Sequence, residues 1–229
     1  MESLIFYAAI VCFALSLITY SLDVLVKSAS FGMLTSGLYM LGLLALFVCM
    51  IVNIHDSEIA EPIVFIRVVL TAFTVMSLYA HLRMANTMVL PLSALAIIAF
   101  GLVSLRTSFL SLLAVPPVLV ETSFTWGMSL AAIGNGFFCA AVLFFISLSW
   151  RSRTKEGEHD SIRTVALVMP RVIHRLGWVT FITLTLALTF YSMWCSDVAG
   201  VLWVWQPLMS IAACAWLILA CGCFLRIHL

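Results

Sequence analysis

The sequence predicts an all-α, polytopic membrane helix bundle. It reads as a single domain over residues 1–229 with seven transmembrane helices, the N-terminus outside and the C-terminus cytoplasmic. Three observations predict it. Of the 229 residues, 64% are apolar and only 9% charged, against about half and a quarter in a water-soluble chain. The apolar residues fall into seven runs, and ~20 such residues of helix cross a bilayer. Of the 11 Lys and Arg, nine fall on one side of these runs, the asymmetry that orients membrane proteins. The same arithmetic excludes a disordered chain, a collagen and a secreted disulfide scaffold. A formal charge of +1 implies no polyanionic partner and no nucleic acid.

The seven runs cover roughly 3–22, 32–52, 63–81, 88–105, 123–149, 176–195 and 207–226. The first lacks a basic flank and a small-residue cleavage site, so it reads as a retained helix, not a signal peptide. Residues 109–120 contain Pro116-Pro117 and are too short to cross, which predicts an interfacial loop or half-turn. The polar stretch 151–163 predicts a solvated cytoplasmic loop. Lys27, Arg83, Arg151, Arg153, Lys155, Arg163, Arg171, Arg175 and Arg226 fall on one side. Arg106 stands on the other with Glu2, the acidic loop around Asp56, Glu58 and Glu61, Glu121 and Asp197, while Arg67 lies a turn inside the membrane. The bundle is therefore expected in the bacterial inner membrane among lipid. Because every helix is apolar all round, periodicity does not reveal packing faces. Small residues such as Gly32, Ser36, Gly37, Gly42, Gly134 and Gly136 are the candidates for close helix contact.

Chemistry-bearing residues are few. None of the seven cysteines forms a C-x-x-C pair, which leaves zinc and ordinary c-type attachment unsupported; they and the 11 methionines read as packing residues. Cys195 is singled out by its position at the outer boundary. No phosphate loop, Ser/His/Asp set or H-E-x-x-H motif occurs, so no enzyme is expected. The five histidines avoid mid-membrane. His55 lies at the outer end of the second run, His159 in the polar stretch, and His81, His174 and His228 at the cytoplasmic boundary. A lone interfacial His is ordinarily a solvated side chain. Three at one boundary provide imidazoles that suit haem iron if two of their helices pack together, with Arg83, Arg175 and Arg226 near enough to pair with propionates.

The sharpest pattern joins the last two runs: Trp194, Gly200, Trp203, Trp205, Pro207 and Trp216, spaced W-x5-G-x2-W-x-W-x-P-x8-W. It resembles the tryptophan-rich (WWD-like) external loop, G-x-x-W-x-W-D-P, of the haem-handling cytochrome c assembly superfamily of CcsA, CcmC and HemX-type membrane proteins. The resemblance is ungapped from Trp194 to Trp216 and covers little of the first four helices. It implies a b-type haem protein with one haem b, and a second in the outer leaflet if His55 finds a partner such as Met193 or Cys195. Trp203 and Trp205 would offer flat faces to the porphyrin, and Gln206, in place of the family aspartate, would donate to a propionate. The family's inner haem-ligating His falls at Phe224, and His228 follows one turn later on the same face. The implied inner pair is thus His81 with His228, His174 substituting for either. No His occurs in 106–125, so the external His pair of the synthetases is missing, and the resemblance points to the short HemX-type branch.

Three functions follow as expectations. The first is a membrane protein that holds, transfers or regulates the supply of haem, with haem-biosynthesis or cytochrome c assembly proteins as partners. The second is a cytochrome electron-transfer subunit reacting with quinone, and the third a haem-free scaffold or transporter subunit.

Overall fold

A computed structural model describes the backbone of residues 2–26, 29–56, 62–84, 89–104, 122–154 and 159–227, and the side chains of most of them. Every element is a helix: α1 (Glu2–Val26), α2 (Ala29–Asp56), α3 (Pro62–Met84), α4 (Val89–Ser104), α5 (Thr122–Thr154), α6 (His159–Ala199) and α7 (Pro207–Ile227). Among the described residues, five helices are long and apolar enough to cross a membrane, while α4 and α7 contribute shorter apolar stretches. This is a membrane-embedded helical protein. Helices are the required solution because hydrocarbon offers no partner to an open backbone N–H or C=O. Pro62 and Pro207 each open a helix, where the missing N–H costs nothing. The interfacial stretch 109–120 and the acidic loop residues 57–61 lie outside the described residues.

Two sequence expectations are corrected. The stretch 151–163 is not a loop throughout: α5 runs on to Thr154 and α6 starts at His159. α6 is 41 residues long, about 60 Å at 1.5 Å per residue, and passes through Pro170 without ending. The end of the apolar run was read as the end of the helix, yet residues 159–169 contain no Gly or Pro, so nothing in that stretch stops the helix. Likewise, 194–199 are not loop. They are the last residues of α6, and only 200–206 connect α6 to α7.

The helices pack around two cores. One gathers Phe6, Phe13, Tyr39, Leu46, Phe73, Leu90, Ile97 and Phe144 from α1–α5, with Leu176 of α6. The other gathers Phe65 of α3 with Phe124, Met128, Leu184, Tyr191, Trp194, Met209 and Ala212 of α5–α7. α3 joins both, packing on α2, α4, α5 and α6, whereas α7 packs on α6 and α5. Hydroxyls link α1, α2 and α4: Thr35 Oγ1 donates to Thr19 Oγ1 at 3.0 Å, Ser16 Oγ to the Thr35 carbonyl at 3.1 Å, and Tyr39 and Ser93 share a 2.7 Å bond. Such bonds are a main source of helix adhesion in lipid, where burial of apolar surface gains little. Of the small residues singled out, Gly42 meets the Phe13 ring, Gly134 meets Leu184 and Gly136 meets the α3 backbone. Gly32 lies beside Asp23, and Gly37 faces open space.

Candidate functional site

The tryptophan segment is built on a rigid base. Gly200 ends α6 with φ of +66°, a conformation that other residues enter only with strain. Its N–H bonds the Ser196 carbonyl at 3.1 Å, closing the helix. The chain then turns under α6, where Tyr191 Oη donates to the Val204 carbonyl at 2.7 Å. Rings stack outward from there. Phe124 and Tyr191 contact Trp194 at 4.8 and 5.5 Å, Trp203 stands edge-on to Tyr191 at 5.0 Å, and Trp205 edge-on to Trp203 at 6.2 Å. Gln206 caps α7 by accepting from the Met209 N–H at 3.0 Å, so Pro207 occupies the first helical position.

The three tryptophans, equivalent in sequence, differ in place. Trp194 is core and Trp203 is half-buried, whereas Trp205 is 82% exposed, beside exposed Val201 and Leu202. Two N–H donors in this segment, Trp203 Nε1 and Gln206 Nε2, are buried with no acceptor. Each costs roughly 1–3 kcal/mol in that condition. Cys195 is wholly buried in α6, closed to any external group, while Met193 is exposed. Phe124 and Tyr191 were not legible as parts of this site. Tyr191 stands one helical turn before Trp194, which is the signal that was available.

Removing the Tyr191 hydroxyl tests the base. Tyr191→Phe should lower stability by about 1 kcal/mol and raise amide exchange in 200–206 while leaving the rest of the bundle protected. Unchanged exchange there would mean that the ring stack alone holds the segment.

At the other end of the bundle, the structure places His81 half-buried near the end of α3 and His174 exposed on α6. α6 turns Val172, Ile173 and Leu176 toward the core that holds Leu78 and Ala80. The His174 ring lies instead against Trp178, whose Nε1 donates to His174 Nε2 at 3.2 Å. Trp178 continues into Phe181 at 6.1 Å, and Phe181 stacks on Trp216 of α7 at 5.6 Å and 16°. Trp216 Nε1 donates to Thr185 Oγ1 at 2.8 Å. His228 and the side chains of His55, His159, Arg83 and Arg226 lie outside the described residues.

Elsewhere, Arg67 is buried with its guanidinium 5.1 Å from the Phe6 ring centroid. A cleft of about 290 Å³ between α3, α4 and α5 is lined by residues such as Val69, Phe73, Leu92, Phe138 and Leu143, with no imidazole or carboxylate among them. Among the described residues no three His, Cys, Asp or Glu side chains converge as a metal centre would need; a haem iron takes at most two protein ligands, so that finding concerns zinc-type sites. No family model, curated protein or solved structure matches this chain, and its function is argued from its own residues.

Proposed function

We propose that this is a membrane-integral b-type haem protein of the bacterial inner membrane, resembling the HemX-type branch of the cytochrome c assembly superfamily, that holds haem and passes it on. In this reading all seven helices span the bilayer. The tryptophan segment faces outside, and the end carrying Met84, Thr154 and Ile227 faces the cytoplasm, as the distribution of Lys and Arg requires.

The observation that carries the reading is the exposed Trp205 indole on a fixed base, with two orphaned donors in the same segment. Both orphans are donors, so their complement is an acceptor, best an anion. A flat apolar macrocycle edged with carboxylates satisfies both features, and haem b has that chemistry. Trp205 and Trp203 would supply stacking surface and Gln206 Nε2 a propionate contact, with His55 available to an outer iron. At the cytoplasmic end, His81, His174 and His228 are the available imidazoles, with Arg83 and Arg226 for propionates. When bound, haem supplies the iron coordination chemistry and the redox change. The protein's part is to hold, orient and release the group.

The optical spectrum of the protein purified from haem-replete cells tests this reading. The expected result is non-covalent haem b with a low-spin spectrum, as two imidazoles would give. A colourless, folded preparation would overturn it. A finer check is Trp205→Ala, which should weaken haem binding about two- to tenfold, the value of one aromatic contact, and leave the melting temperature unchanged because the side chain is 82% exposed. Equal haem binding by the variant would remove the outer segment from the site.

A further inference from the structure

We infer that the cleft between α3, α4 and α5 is a binding site for a prenylated quinone, with Asn135 Nδ2 as the donor to one of its carbonyl groups. This goes beyond the haem reading and does not depend on it.

The cleft has a volume of about 290 Å³, and its walls are apolar side chains and the Cys139 thiol. That volume stands at the lower end of the ~300–1,000 Å³ of small-molecule sites, room for a ring and the start of a chain. Leu92, Val142 and Ile146 in its walls are exposed, so the cleft opens sideways to lipid and a longer chain can continue outward. Asn135 stands one turn nearer Thr122 than Phe138 and Cys139, on the same face of α5. Asn135, Phe138, Cys139, Val142 and Ile146 follow the i, i+3, i+4, i+7, i+11 spacing of one helical stripe. On α3 the cleft reaches the same level. Val69 lines it, and the Val69 carbonyl oxygen lies 2.7 Å from where a Cβ at Gly136 would stand. Asn135 is 6% exposed, and its Nδ2 has no acceptor. An amide nitrogen only donates, so the missing partner is an acceptor. A water needs two or more polar partners, and the walls of the cleft do not supply them.

Depth decides what carries that acceptor. Asn135 stands at the middle of the apolar stretch Thr122–Ser147, roughly 20 Å from either end at 1.5 Å per residue. The ester carbonyls of a phospholipid and the carboxylate of a fatty acid keep to the interface, ~15 Å from the bilayer centre. An acyl chain in the cleft therefore brings no acceptor to this depth. A prenylated quinone is uncharged, dissolves in hydrocarbon and carries carbonyl oxygens on a flat ring. Phe73 and Phe138 in the walls offer aromatic surface to that ring. Binding forms one N–H···O=C hydrogen bond and moves no electron or proton.

The test uses the full-length protein in detergent, titrated by calorimetry with decylubiquinone, a benzoquinone, and with phylloquinone, a naphthoquinone. Saturable binding of at least one is expected. Its infrared carbonyl band should shift down on binding relative to the same quinone in tetradecane. Asn135→Leu keeps the side-chain size and removes the donor. It should bind that quinone about two- to tenfold more weakly, the fold-change of one net hydrogen bond, and melt no lower than the wild type, since no buried donor is left open. Ala96→Phe places a ring in the cleft from a partly exposed position and should abolish binding, with a thermal melt to confirm folding. Tetradecane, a chain without an acceptor, should not displace the quinone. If the wild type binds neither quinone saturably, the proposal is overturned. Full binding by folded Ala96→Phe would put the quinone outside the cleft. An unshifted carbonyl band, unchanged binding by Asn135→Leu or displacement by tetradecane would each mean that the cleft takes any apolar chain, and the assignment to a quinone would be wrong.

Discussion

Gly136→Ala will destabilise the bundle by about 1–3 kcal/mol, a large effect for one methyl group. A Cβ at this position would lie 2.7 Å from the Ala72 Cβ, 2.7 Å from the Val69 carbonyl oxygen and 3.1 Å from the Phe73 nitrogen. Two of those three atoms are backbone and have no rotamer to escape into. Relief requires α3 and α5 to separate, and both of these helices contribute to both cores. Gly37→Ala is the matched control. Its added methyl meets nothing within 4 Å, so the change should be neutral, or stabilising by up to ~1 kcal/mol through helix propensity. Denaturant or thermal unfolding in one detergent, followed by tryptophan fluorescence, compares the two. Equal stabilities would mean that α3 and α5 do not approach so closely.

His228→Ala should turn bound haem from six-coordinate low-spin to five-coordinate high-spin and weaken its retention at least tenfold, about 1.4 kcal/mol. α7 remains helical through Ile227, so residue 228 follows an intact last turn. The helix is also tied to α6 by the Trp216–Thr185 bond, which holds its far end level with His174. His159→Ala, at the first residue of α6 and well over 20 Å along the helix from His174 at 1.5 Å per residue, should leave the spectrum unaltered. The spectra of His81→Ala and His174→Ala then identify the second ligand. If His228→Ala retains the wild-type low-spin spectrum, the register carried over from the family resemblance is wrong and the pair must come from His81 and His174.

The site was legible in kind and illegible in orientation. The spacing from Trp194 to Trp216 singled out a segment whose base the structure shows to be closely built, but it did not show that Gly200 ends α6. Spacing could not separate Trp194 from Trp205, because an indole suits a core and a membrane boundary equally well. Gln206 was read as a propionate donor; its Oε1 is spent on capping α7, which leaves Nε2 for that part. The His174–Trp178 contact joins residues four apart in one helix, a spacing visible in the sequence, but its meaning depended on which side of α6 the pair occupies.

By itself, the sequence located the apolar stretches that lie in the helices of the described residues, since hydrocarbon forces any such stretch to satisfy its backbone internally. It also placed the charged residues between those stretches, because a charge at the bilayer centre is costly. The tertiary structure alone decided that α5 and α6 extend beyond the apolar runs, because a helix closes its backbone hydrogen bonds whether or not its side chains are apolar. It alone decided which faces touch. Lipid and protein interior are equally apolar, so Phe13, buried in the core, and Phe145, exposed on the surface, look alike in sequence. Only close fit distinguishes them, as at Gly136 against the α3 backbone, and close fit exists only once the helices have packed.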